Sequence, residues 1–92
     1  DGIVVVVVAI DAEEARIIGE PDLVTKGVFY VPEADALIED LRKELRAALA
    51  EVSVEGMRDV NTVKEHIRSH LSKAVYARTK RRPVVIPIIM EV

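Results

Sequence analysis

Residues 2–10, GIVVVVVAI, are apolar at every position and mostly β-branched, and Asp11 ends the run. A half-solvated strand would alternate apolar with polar residues, so an unbroken run predicts a strand buried on both faces. Residues 11–15 are polar and turn-like. Residues 16–19 can return as a short hairpin partner, which Glu20-Pro21-Asp22 then breaks. Residues 27–31 have strand composition and either extend the sheet or lead into a helix. From about Glu33 to Val52 the apolar positions are Ala34, Leu37, Ile38, Leu41, Leu45, Ala48, Leu49 and Val52. Their spacing of three and four places them on one helical stripe, with Glu39, Asp40, Arg42, Lys43, Glu44 and Arg46 on the solvated face.

Residues 53–59 link this helix to the next, with Gly56 as a natural break. A second helix is predicted from near Thr62, where Thr62-x-x-Glu65 matches a capping box, to near Thr79. Its apolar stripe is Val63, Ile67, Leu71, Ala74 and Val75. The closing VVIPIIM, residues 84–90, is again apolar at both parities, and Pro87 requires an edge or a bulge there.

The pattern thus predicts an α+β fold in the order β-β-(β)-α-α-β: a three- to four-stranded mixed sheet with two helices packed on one face. Two helices cover only one face of such a sheet, yet both long strands are apolar on both faces. The uncovered face is therefore expected to meet another protein surface. The candidate interface residues are Ile3, Val4, Val5, Val6, Val7, Val8, Val85, Ile86, Ile88 and Ile89, with the parity left open.

Ninety-two residues suffice for a single domain, and a chain that is half hydrophobic is not disordered. Only Phe29, Tyr30 and Tyr76 are aromatic, so the core must be built from Val, Ile, Leu and Ala. The absence of cysteine removes disulfides and thiolate metal sites and fits a reducing compartment. Eight apolar residues, 3–10, are far fewer than the roughly 20 needed to span a bilayer. Asp1 stands where a signal peptide would carry basic residues, and the lack of an initiator Met is what an excised domain would show.

The net charge of −3 argues against coating nucleic acid with the whole surface. Residues 60–82, however, hold seven Lys/Arg against one Glu, a local charge of +6. Within them Arg78, Lys80, Arg81 and Arg82 are candidates to contact an RNA backbone, although cations at a helix C-terminus also complement its dipole. His66 and His70 lie four apart on the second helix, as paired zinc ligands do. The metalloprotease pattern needs Glu after the first His, where this chain has Ile67, and no third ligand is apparent, so a solvated helix face is expected. Asp11, Glu13 and Glu14 cluster beyond the first strand without a nucleophile or base beside them and read as a polar turn. The four glycines are isolated, so no phosphate-cradling loop is present.

The opening DGIVVVVVAID, the middle GVFYVPEA and above all the closing TKRRPVVIPIIMEV resemble the C-terminal domain of ribonuclease J, a bacterial and archaeal RNase. The resemblance runs from Asp1 to Val92. The chain departs from the family pattern at Val60-Asn61, where an aromatic residue is expected after Asp59, and at Pro32-Glu33-Ala34 in place of an Arg-Glu-Ser type of turn. The resemblance implies a parent enzyme with 5′-to-3′ exonuclease and endonuclease activity on RNA, built on a metallo-β-lactamase and β-CASP core. That core's His/Asp zinc ligands have no counterpart in these residues. The expectation is therefore no catalytic or metal-ligating residue and no cofactor in this domain, with zinc in the catalytic domain of a cytoplasmic parent. The resemblance further implies a domain that supports oligomerisation, its partner being a second copy or the catalytic core, with RNA as ligand of the full enzyme and no membrane contact. Two other readings are a stand-alone regulatory module that binds a small molecule and an accessory RNA-binding module.

Overall fold

Strand β1, Ile3–Asp11, lies at the centre of a three-stranded sheet of order β2-β1-β3. The computed structural model describes residues 2–29 and 31–92. Strand β2, Arg16–Lys26, returns antiparallel to β1, and β3, Val84–Glu91, runs parallel to it. Between β2 and β3 the chain forms α1 (Ala34–Ala50), a short α2 (Val54–Met57) and α3 (Val60–Thr79). Helix α1 lies towards β2 and α3 towards β3, and the two pack on each other over one side of the sheet.

Burial follows the strand period of two. Val4, Val6, Val8 and Ile10 are buried, joined from the neighbouring strands by Leu23 and Val85. Against them α1 places Leu41, Leu45, Ala48 and Leu49, and α3 places Val63, Ile67, Leu71, Ala74 and Val75. The α3 set is the whole predicted stripe. Among the described residues no polar or charged residue is buried, so the core between helices and sheet is wholly apolar, and polar ties such as Arg46 to Glu20 lie at its surface.

Three local expectations are corrected. Glu20-Pro21-Asp22 does not end the hairpin strand: Val7 pairs with Asp22 and Ala9 with Ile18, so residues 19–21 bulge opposite Val8 while pairing resumes on either side. Residues 27–31 supply no fourth strand among the described residues, since residues 27–29 bend and Val31–Glu33 forms a 3-10 turn that leads into α1. Gly27, with φ of +73°, redirects the chain and turns Val28 into the core. The expectation for Tyr30 falls outside the described residues. At α3 the N-cap is Asp59, whose carboxylate accepts from the Asn61 N–H at 3.1 Å and from the Thr62 hydroxyl at 2.9 Å. Thr62 thus supports the cap from inside the first turn, while Glu65 pairs with Arg68.

Gly2 is the most tightly enclosed of the four glycines. It has φ of +93°, and a Cβ there would sit 2.7 Å from both the Lys26 carbonyl oxygen and Val28 Cγ2. Its own carbonyl accepts from the Val84 N–H, which starts the β1–β3 ladder.

Candidate functional site: the open face of the sheet

The helices cover the even-numbered side of β1, which leaves Ile3, Val5, Val7 and Ala9 on the other side. Register extends this side across the sheet. Val84, Ile86, Ile88 and Met90 of β3 stand opposite Ile3, Val5, Val7 and Ala9, and Val24 and Ile18 of β2 stand opposite Val5 and Ala9. All six of these flanking residues are exposed; Val84 and Val24 are each 61% exposed and Met90 51%. The result is a contiguous apolar surface on all three strands. Along β2 it is rimmed by Asp22 and Lys26, with Arg16 opposite Asp11 at the far end.

The parity left open in the sequence is now fixed. Ile3, Val5, Val7, Ile86 and Ile88 lie on the open face. Val4, Val6, Val8 and Val85 are core residues beneath the helices, and Ile89 packs partly against that core, so these five are removed from the candidate interface. Ile18, Val24, Val84 and Met90 join it. Val84 and Met90 share the parity of Ile86 and Ile88 on β3, whereas Ile18 and Val24 emerge only from register, because β2 is partly polar and its bulge resets the alternation.

Each edge strand carries one proline, which interrupts the row of groups open to further pairing. Val84 donates to the Gly2 carbonyl at 3.0 Å and Val92 to Ile10 at 2.9 Å, so the even-numbered N–H groups of this segment point to β1. Pro87 belongs to the odd set and places its missing N–H on the free edge. On the other edge, Pro21 lies within the β2 bulge. The geometry favours contact through the face over strand addition.

The basic run divides into two groups by what the side chains meet. Arg78 reaches across to α1, with Nε 3.7 Å from Asp40 and Nη2 3.4 Å from Glu44, and donates to the Ala74 carbonyl. Arg81 donates to the Gly27 carbonyl at 3.0 Å. These two arginines of the RNA-contact set therefore tie the fold together. Lys80 and Arg82 instead gather over the Tyr76 ring, 5.1 and 4.9 Å from its centroid. With Ser72, Lys73 and Ala77 they line one surface depression. Tyr76 is thus part of the cationic cluster, although it precedes the run in sequence.

The turn carboxylates behave as a turn: Asp11 accepts from the Glu14 N–H, and the Glu13 carbonyl accepts from Arg58. His66 and His70 are half-buried rather than fully solvated, with side chains about 30% exposed. Both Nε2 atoms approach the same oxygen of Glu51, at 3.4 and 3.1 Å, where α1 ends. Glu51 is a residue that sequence reasoning missed, because it lies 15 positions from His66 with no linear motif joining them. Among the described residues no helix is long and apolar enough to cross a membrane.

A mixed three-stranded sheet backed by two long helices, with one apolar face that no described element covers, defines a small α+β domain built around a surface rather than a cleft. The chain belongs to the ribonuclease J C-terminal domain family, whose profile matches residues 1–92. It is 35% identical over its full length to ribonuclease J2 of Bacillus subtilis (strain 168), and 33% and 32% identical to ribonuclease J 2 of Staphylococcus epidermidis and Staphylococcus aureus (strain NCTC 8325). The chain spans 16–17% of the length of these relatives.

Proposed function

We propose that this domain is the non-catalytic assembly module of a ribonuclease J-type enzyme and that its open sheet face binds the same face of a second copy. The observation that carries this reading is the apolar surface formed by Ile3, Val24, Val84, Ile86, Ile88 and Met90 across three strands. Scattered exposed apolar residues are ordinary, but a contiguous patch with a polar rim marks a contact surface. The rim suits a copy of itself: Asp22 and Lys26 carry opposite charges on one strand, so a two-fold arrangement lets each meet its opposite across the interface. Prolines at both edges disfavour strand addition, which leaves the face as the route to association.

The relatives are named ribonucleases, and in this reading the parent enzyme degrades and processes RNA in the cytoplasm. The zinc centre of its metallo-β-lactamase core carries the chemistry. The cluster of Lys73, Lys80 and Arg82 around Tyr76 then serves that enzyme by holding RNA backbone. The regulatory small-molecule reading gains no support, since the depressions lined by His66, by Phe29 and by Tyr76 include no residue of the open face.

The test is sedimentation of the 92-residue chain over a range of concentrations. A dimer at micromolar concentration is expected. A chain that stays monomeric at about 100 μM, and that instead binds the separately prepared catalytic core, would transfer the face to an intramolecular role.

A further inference from the structure

We infer that Glu51, His66 and His70 form a binding site for one divalent transition ion of the zinc class, which clasps the end of α1 to the middle of α3. His66 and His70 are four apart on α3 and so project from one face, with ring centroids 4.5 Å apart. Glu51 is held opposite them as the C-cap of α1, where its backbone N–H bonds to the Ala48 and Leu49 carbonyls. One ligand atom from each residue lies within 4.8 Å of the other two.

The spacing fits metal coordination. Bonds of about 2.0–2.1 Å to imidazole nitrogen and carboxylate oxygen place tetrahedral ligands about 3.3–3.4 Å apart. Glu51 Oε2 already stands 3.4 Å from His66 Nε2 and 3.1 Å from His70 Nε2. The two histidines offer ligand atoms within 4.8 Å of each other, a separation that rotation of side chains about 30% exposed can adjust.

Glu51 can pair with His70 directly, at 3.1 Å, but hydrogen bonding does not account for His66. His66 Nε2 is buried and has no hydrogen-bond partner, despite the carboxylate beside it. A buried nitrogen left in that state is costly, and a metal ion uses its lone pair. Glu51 also puts negative charge at a helix C-terminus, where the dipole disfavours it and a cation offsets the repulsion. Two imidazoles and one carboxylate select zinc-class ions over magnesium and calcium, which take oxygen ligands. Three protein ligands leave one position for water. The site lies between helices, on the opposite side of the domain from the open sheet face, so it does not depend on the assembly reading.

The experiment is calorimetric titration of zinc chloride into the EDTA-treated 92-residue chain, repeated with cobalt to read its visible bands. The expected result is one ion per chain, tetrahedral cobalt absorption and a higher melting temperature with zinc. Glu51→Gln and His70→Ala should each weaken affinity by about tenfold or more and remove the thermal shift. Glu55→Gln, a nearby carboxylate outside the site, should change neither. Glu51 is exposed, so Glu51→Gln keeps the fold, and circular dichroism without metal verifies it. Absence of saturable uptake, or uptake that Glu51→Gln and His70→Ala leave unchanged, overturns the proposal.

Discussion

Replacing one apolar residue by aspartate should give opposite results on the two sides of the sheet. Val6 is fully buried between β1 and the helices, whereas Ile86 on β3 is 41% exposed on the open face. A chain of 92 residues has a total stability of about 5–14 kcal/mol. Val6→Asp loses about 1.5–3 kcal/mol of apolar burial. It also places a carboxylate in a dry core, at a further cost of several kcal/mol. The sum approaches the whole stability, so this variant should be unfolded.

Ile86→Asp leaves the core intact and costs the monomer about 1 kcal/mol of strand preference. In the dimer the same change removes about 1 kcal/mol of apolar burial. It also desolvates a carboxylate at about 1–3 kcal/mol. An isologous contact counts each term twice, which gives about 4 kcal/mol or more, or about 1,000-fold in the dissociation constant. Thermal melting by circular dichroism paired with sedimentation should therefore show an unfolded Val6→Asp chain and a folded, monomeric Ile86→Asp chain. If Ile86→Asp also unfolds, the second face is covered within one chain. If it dimerises as tightly as the parent chain, assembly uses another surface.

Gly2→Ala should lower stability by about 1–3 kcal/mol, read by urea titration, because the new Cβ meets the Lys26 carbonyl in a left-handed backbone conformation; an unchanged midpoint would refute the close approach. Asp59→Ala should cost about 1 kcal/mol through loss of the α3 cap, and Asp59→Asn should restore most of it, since asparagine caps as well. In the full-length enzyme, Lys80→Gln combined with Arg82→Gln should reduce the salt slope of RNA binding by about two units. Arg78→Gln should leave that slope unchanged but lower the melting temperature, because its partners are Asp40 and Glu44. If both variants leave the slope unchanged, the run is a solvated helix end.

The sequence by itself determined the element order, the two long helices and the α3 core stripe of Val63, Ile67, Leu71, Ala74 and Val75. Helical periodicity is local and survives whatever tertiary partner covers the stripe. The family was equally legible, in the closing TKRRPVVIPIIMEV. The same reasoning could not choose between Val5 and Val6, since an unbroken run of valines carries no alternation to say which side is inward. Only the placement of both helices on one side decided that. Continuity of β2 through Glu20-Pro21 was likewise tertiary, because pairing with β1 on either side of the bulge outweighs the local break. The division of the basic run, with Arg78 and Arg81 reaching other elements and Lys80 and Arg82 gathered at Tyr76, depends on what each side chain meets in the folded chain. The meeting of Glu51 with His66 and His70 depends on how α2 turns the chain between two helices. A contact between residues far apart in sequence leaves no periodic trace along it, so it becomes visible only when the helices pack.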